Sequence, residues 1–408
     1  MATNFKWQTK KLSGLAEFRN GVNYNKESFG EGVKVVGVSD FQDYTKPRYD
    51  ELDQINPDGI VTERNILRNG DIVFVRSNGN RELIGRSLFI ENPPEDITHS
   101  AFTIRLRFVS SEVYPKFYAY CFRTRLIRQG LTAQGGGTNI SNLNQDILNG
   151  LEVPFPPLPT QQRIAAVLSA YDDLIENCQR RIKILEQMAR GLYREWFVKF
   201  RFPNHAKTPL VDSPMGKIPK GWEVKSIGDI AEEMRRGVPK GELDAPQPFV
   251  GLEHIPRRAF ALDNWETVCE LGSNKLLFKK GEVLFGKIRP YFHKVSVAPF
   301  DGVCSADAIV LRPYRKEHDA LMVALVTSDE FVAHATATSN GSKMPRANWN
   351  VLENYPIAVP DEKLLCRFSA LFSNTVAEQQ SLVFRIQNLR KTRDLLLPRL
   401  LSGQVNVN

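Results

Sequence analysis

The segment Arg76-Ser77-Asn78-Gly79-Asn80-Arg81, running on to Arg86, follows a predicted strand, and Lys287, Arg289, Tyr291, His293 and Lys294 stand in the corresponding place of the chain's second half. A second pair of loops, Gly135-Gly136-Gly137-Thr138-Asn139 and Gly341-Ser342-Lys343-Met344-Pro345-Arg346, each precedes a predicted short helix. Arginine and lysine meet phosphate oxygens, while guanidinium and amide groups supply the paired donors and acceptors that match base edges. Together with Arg235 and Arg236, these loops give a candidate set for contact with double-stranded DNA. Its members are Arg76, Asn78, Asn80, Arg81, Arg86, Thr138, Asn139, Arg235, Arg236, Lys287, Arg289, Tyr291, Lys294, Lys343 and Arg346. A solvated polar loop is the competing reading for each residue taken singly. Glycines matched in both halves read as turn structure first and backbone contact second.

Other chemistries are weakly represented. Gly281-Glu282-Val283-Leu284-Phe285-Gly286-Lys287-Ile288 has the spacing of a phosphate-binding loop. It places Ile288 where a hydroxyl must reach magnesium, and its Val-Leu-Phe interior reads as a strand. Asn92-Pro93-Pro94-Glu95 is similar to the tetrapeptide with which adenine methyltransferases stack a flipped base, but Glu95 cannot stack and no glycine-rich cofactor loop precedes it. Pro360-Asp361-Glu362-Lys363 suggests a nuclease triplet, and a helix cap at Asp361 is a sufficient explanation. The six histidines lack ligand spacing and a nucleophile nearby. The expectation is a chain with no cofactor, no metal and no catalytic constellation of its own.

The elements that position the loops occur twice. Pro156 to Phe200 falls without a gap on Pro360 to Gln404, matching Arg163 with Arg367, Arg181 with Arg385 and Ile182 with Ile386. Upstream, Trp7, Leu12 and Ala16 are spaced like Trp222, Ile227 and Ala231; Gly70 to Phe74 echoes Gly281 to Phe285, and Ser100-Ala101 echoes Ser305-Ala306. So long a period marks an internal duplication, not a solenoid. Short apolar runs bounded by turn residues predict strands near 33–38, 72–75, 87–90 and 102–108, then a helix over about 115–130. The second half repeats them near 249–252, 283–285, 294–298 and 308–311, with a helix over about 316–337. Each half is α+β by pattern.

From Ile164 apolar residues recur at spacings of four and three, through Leu168, Tyr171, Ile175, Cys178, Ile182, Leu185, Ala189, Leu192 and Trp196. That is a coiled-coil seam. Phe368, Phe372, Leu382, Ile386, Leu389, Leu396 and Leu400 continue it in the second copy, where Thr375, Gln379 and Arg393 occupy seam positions. Thr160 and Asp361 are the predicted N-caps. The expected plan is target-reading domain 1–158, helix 159–200, a Pro/Gly linker 201–221, a second domain 222–359, and helix 360–408. The second helix has only the first against which to bury its stripe, so the two should pair antiparallel. A helix of about 36 residues spans roughly 54 Å, which predicts a pseudo-twofold caliper with a head at each end. Duplex DNA presents equivalent faces every ~34 Å. Unlike heads then imply a split, asymmetric target.

Composition agrees with an anionic partner. Lys and Arg exceed Asp and Glu by 8, and 408 residues suit two domains plus helices. Five scattered cysteines without C-x-x-C spacing read as buried apolar residues in a reducing compartment. With no leader and no apolar run long enough for a membrane span, the expected location is the cytoplasm.

The chain resembles a type I restriction-modification specificity subunit. The resemblance rests on Pro156-Pro157-Leu158-Pro159-Thr160-Gln161-Gln162-Arg163-Ile164, on Ser213-Pro214-Met215-Gly216-Lys217-Ile218-Pro219-Lys220-Gly221-Trp222, and on Leu396-Leu397-Pro398-Arg399-Leu400-Leu401-Ser402-Gly403. It covers essentially the whole chain. It departs from the pattern in the first domain, which lacks the Ile-Pro-Lys-Gly-Trp opening, and at Asp361-Glu362-Lys363-Leu364-Leu365. It implies assembly with two modification subunits, which bind S-adenosylmethionine and methylate adenine. It also implies two restriction subunits, which use ATP and magnesium and cleave DNA. The competing readings are a self-sufficient adenine methyltransferase or nuclease, and a coiled-coil scaffold whose heads bind proteins.

Overall fold

The computed structural model describes residues 7–41, 45–124, 127–129, 131, 142–243 and 245–407. The chain divides into two mixed α/β units, Met1–Asp173 with Arg390–Asn408, and Leu174–Leu389.

In the first unit β2 (Ala16–Asn20), β8 (Thr103–Phe108), β5 (Ile72–Val75) and β6 (Ser87–Phe89) form an antiparallel sheet in that order. A smaller sheet holds β4 (Asp53–Ile55), β3 (Phe29–Val36) and β7 (Ile97–His99), with β3 parallel to β7. Strand β5 reads Ile-Val-Phe-Val because both of its faces are covered. Ile72 and Phe74 enter one core with Phe117 and Phe122, while Val73 and Val75 enter another with Leu88 and Ile97. Truncating the fully buried Phe74 to alanine would cost about 3–5 kcal/mol. Helix α1 (Pro115–Arg123) starts on a proline, whose missing N–H would lack a partner anyway, and buries Phe117, Tyr118 and Phe122. α2 (Gln145–Gly150) is capped by Asn144, whose side chain accepts from the Ile147 N–H at 2.8 Å. β1 (Thr9–Lys11) closes the unit against β9 (Glu152–Pro154).

The second unit repeats this frame. β13 (Ala231–Glu233), β21 (Ala308–Pro313), β18 (Val283–Gly286) and β19 (Val295–Val297) take the same order, and β12 (Glu223–Ser226) pairs with β22 (Pro356–Val359) as β1 does with β9. Its other sheet is larger: β14 (Gly237–Val238), β17 (Lys275–Phe278), β20 (Gly302–Ser305), β15 (Gln247–Val250) and β16 (Glu266–Val268). The turn into β5 and the turn into β18 are built alike. Gly70 and Gly281 take left-handed backbones (φ 91° and 89°), and the buried carboxylates of Asp71 and Glu282 accept from the N–H three residues upstream, both at 2.7 Å.

Several expectations are corrected. The single helix expected over about 316–337 is two, α4 (Asp319–Val326) and α5 (Asp329–Ala337), because Ser328 caps the second by accepting the Phe331 N–H at 3.2 Å. The stretch read as linker contains a hairpin, β10 (Leu210–Ser213) and β11 (Gly216–Pro219). Its prolines sit before, between and at the end of the strands, where they interrupt little of the ladder. The long helix α3 (Leu158–Tyr193) begins before Thr160, so Thr160 is not its cap. The Pro157 carbonyl accepts from the N–H groups of Thr160 and Gln161, and the buried Gln161 amide ties that end to Pro156, Glu112 and Tyr114. Cys269 and Cys366 are exposed, unlike Cys121, Cys178 and Cys304, because they lie on a loop and on the outer face of a helix.

α6 (Trp349–Leu352) precedes β22, and α7 (Glu362–Leu401) is capped by Asp361, which accepts the Leu364 N–H at 2.8 Å. Each unit takes one end of both long helices. In the first unit Ile164 and Leu168 share a core with Leu400 and Leu401, with Leu396 at its margin. In the second, Ile175, Cys178 and Ile182 pack with Leu382, Val383 and Ile386, flanked by Leu185 and Leu389. Trp196, Phe368 and Phe372 lie in the main core there, with Leu192 against it. Tyr171 is half-buried. Arg181 pairs with Glu378 at 2.6 Å and Phe197 with Phe368 at 4.7 Å between ring centres, so within this unit the helices run antiparallel. Among the described residues no helix is long and apolar enough to cross a membrane.

Candidate nucleic-acid interface

In the first unit four segments converge at one end of the main sheet. The Arg76 and Ser77 N–H groups donate to the Phe102 carbonyl at 2.8 and 3.3 Å, and the Arg76 carbonyl accepts from Leu143, just before α2, at 2.8 Å. The end of β2 joins them, since Gly21 N–H donates to Thr103 O and the Gln145 amide donates to Asn20 Oδ1 at 3.2 Å. A Cβ at Gly21 would lie 2.1 Å from the His99 carbonyl, so only glycine permits this approach.

The second unit builds the same junction from different residues. Lys287 N–H donates to Asp307 O at 3.0 Å, and Lys287 O accepts from Ala347, just before α6, at 2.9 Å. The loop that follows is pinned to its neighbour as well, with Arg289 N–H donating to Pro345 O at 2.7 Å. Arg289 and His293 both carry left-handed backbones, φ 50° and 52°, on either side of a 3-10 turn at Pro290–Phe292. For residues with a Cβ that geometry costs of order 1–3 kcal/mol each and persists only where surrounding bonds fix it. The Thr327 carbonyl and Asp329 beside the buried His293 ring are two such anchors. Burial lowers the His293 pKa.

The predicted contact residues divide by what their side chains do. Arg76 is half-buried with no side-chain ion pair among the described residues, and Lys343 is exposed. Arg346 is open to solvent 3.8 Å from Asp307, and Arg235 is mostly exposed while pairing with Glu233 at 2.6 Å. Lys287 Nζ donates to Ala306 O, Tyr291 stands exposed against Phe292, and Arg86 is half-buried. Two candidates are bound into the fold: Arg236 clamps the buried Glu282, and Lys294 Nζ is held by the Leu252 carbonyl with its pKa lowered by burial. Arg289 buries its Nε without a hydrogen-bond partner among the described residues. Asn78 and Asn80 spend their side-chain oxygens on the N–H groups two residues on, at 2.7 and 3.0 Å, so they shape the loop before they can read a base. Thr138, Asn139 and the rest of that glycine loop lie outside the described residues, as does the Arg81 side chain. The sequence reading did not name Phe102, Asp307, Asn20 or Gln145, which the fold brings to the same junctions. The echo of Ser100-Ala101 in Ser305-Ala306 was the signal that could have found the first two.

The motifs resembling catalytic sites resolve into structure. Val283–Gly286 is strand β18, Glu95 pairs with Lys34 at 2.6 Å beside the Asn92 turn, and Asp361 is a helix cap. Among the described residues no group of His, Cys, Asp and Glu could hold a metal.

Fold and junction together define a duplicated α/β protein whose two halves present different loops on a repeated frame. The family model for the type I restriction modification DNA specificity domain matches residues 4–187 and 219–381, and the chain belongs to that family. It is 26% identical over 420 aligned positions to the type I restriction enzyme MjaIX specificity subunit of Methanocaldococcus jannaschii, covering 98% of this chain and 94% of that one. It is 23% identical over 294 positions to the EcoDI specificity subunit of Escherichia coli, covering 64% and 65%. Its fold is similar to the solved type I restriction-modification S subunit from M. genitalium, with TM-score 0.58 and 16% identity over 100% of this chain and 98% of that one.

Proposed function

We propose that this chain is the DNA-recognition subunit of a type I restriction-modification complex, each loop junction reading one half of a split, asymmetric target. One observation carries this reading in a chain of this family. The main-chain bonds that join Arg76 to Phe102 and Leu143 recur between Lys287, Asp307 and Ala347, while the side chains they present differ. Constant frames with changed outward residues are what two readers of different half-sites require. Arg76 and Arg86 in the first unit, and Arg235, Lys287, Lys343 and Arg346 in the second, supply the cationic contacts.

In this reading chemistry belongs to the partners. Two modification subunits bind S-adenosylmethionine and methylate adenine, two restriction subunits use ATP and magnesium to cleave, and this chain holds no cofactor and works in the cytoplasm beside the DNA. Salt-titrated binding to duplex DNA tests the proposal. Arg76→Ala and Lys343→Ala should each weaken binding, by about 1–3 kcal/mol with relaxed specificity at one position if a base is read, or uniformly with a smaller salt slope if phosphate is touched. Methyl transfer by the purified chain alone would overturn the assignment in favour of a self-sufficient methyltransferase.

A further inference from the structure

Phe102 occupies the outer corner of the first junction with 61% of its surface exposed. The turn that carries it is built without its ring. Phe102 N–H donates to Ser100 Oγ at 3.2 Å, Thr103 N–H to Ser100 O at 2.8 Å, and Ala101 N–H to Val22 O at 2.8 Å. The second unit makes the same turn from Ser305, Ala306 and Asp307, where Asp307 N–H donates to Ser305 Oγ at 3.2 Å. A phenyl ring and a carboxylate therefore fill one position of one frame, and the fold requires neither. What the frame does fix is the neighbourhood, because the Phe102 carbonyl holds the N–H groups of Arg76 and Ser77. Phe102 and Arg76 are therefore direct main-chain neighbours at this junction.

The apolar group that base edges offer in the major groove is the thymine C5-methyl, whereas a carboxylate at the same corner suits the cytosine amino group. We propose that Phe102 is a specificity-determining residue of the first unit, making van der Waals contact with a thymine methyl. The inference rests on the DNA-recognition function proposed above.

The test uses the full-length chain and duplexes it selects from a random pool, with each thymine replaced in turn by deoxyuridine, which removes only the methyl. Wild type should lose affinity several-fold at one thymine of one half-site. Phe102→Ala should bind the thymine duplex as weakly as wild type binds the uridine one and be indifferent to the replacement, while Phe102→Leu should keep part of the preference. An unchanged unfolding midpoint, expected for an exposed side chain, shows that the variants are folded. Indifference of wild type to every uridine, or full thymine preference in Phe102→Ala, would overturn the proposal. So would a loss that is equal on both duplexes and accompanied by reduced DNA bending, which marks an inserted wedge. Arg76→Ala separates the two levels: weakened binding there with a silent Phe102→Ala rejects only this inference, while silence in both rejects DNA recognition through this junction.

Discussion

Arg393 on α7 brings Nη1 to 2.5 Å from Oδ1 of Asp172 on α3. The same carboxylate accepts from the Tyr120 hydroxyl at 2.7 Å and faces Arg123 at 3.7 Å, and it is only 20% exposed. One anion thus serves two guanidiniums and a phenol where the returning helix docks on the first unit. The heptad spacing places Arg393 at an apolar seam position; in the fold it is an ion-pair partner.

That arrangement is asymmetric, and so should be its mutants. Asp172→Ala leaves Arg123 without its carboxylate and Arg393 with only the exposed Asp394, and should cost about 2–4 kcal/mol, whereas Arg393→Met leaves Asp172 still paired with Arg123 and should cost less. Chemical denaturation of the full chain checks the order, and equal losses would contradict it.

Glu186 is buried on α3, where its Oε1 accepts from the Phe260 N–H at 2.9 Å and from Arg190 at 3.1 Å. Burial nevertheless raises its pKa, outweighing the lowering by Arg190. A raised folded-state pKa gives a contribution that is complete below the ordinary carboxylate range and lost as pH rises through the folded value. Glu186→Gln keeps the acceptor without the charge. It should be at least as stable as wild type at pH 8, with the difference shrinking toward pH 4.

His99 is fully buried, with Nδ1 2.9 Å from the Thr103 hydroxyl, and burial pushes its pKa down to about 3. A depressed histidine pKa means stability that is present above about 6.5, the unfolded value, and lost as pH falls toward 3. The expected slope reaches about 1.4 kcal/mol per pH unit below 6. Denaturation midpoints at pH 8, 6 and 5 should show it in wild type and much less of it in His99→Gln.

Arg236 and Lys343 should fail in opposite ways. Arg236 neutralises the buried Glu282, so Arg236→Ala should lower stability by about 2–4 kcal/mol. Lys343 is exposed, so Lys343→Ala should leave the unfolding midpoint unchanged and reduce the salt slope of DNA binding by about one. A stable Arg236→Ala with impaired binding would restore Arg236 to the contact set.

The sequence by itself determined what repeats at long range. Insertions and substitutions spare spacing where packing demands it, so the matched helices, the Gly70 and Gly281 turns and the echo of Ser100 in Ser305 were visible without coordinates. Strands such as β5 and β18 were legible because both faces are buried and every residue is apolar, whereas β14, β16 and β4 are only two or three residues long with at most one of them buried, and carry no such signal. Which polar residue is free was decided only by the tertiary structure. Arg236 and Arg235 are adjacent in sequence, yet one clamps a buried carboxylate and the other points largely to solvent, because β18 brings Glu282 to only one of them. Phe102 carried no polar signature, and its place beside Arg76 follows from the β7–β8 turn meeting the β5–β6 loop, a contact between segments far apart in the chain. Local pattern records how a segment folds; hydrogen bonds between distant segments choose which of its side chains remain available to a partner.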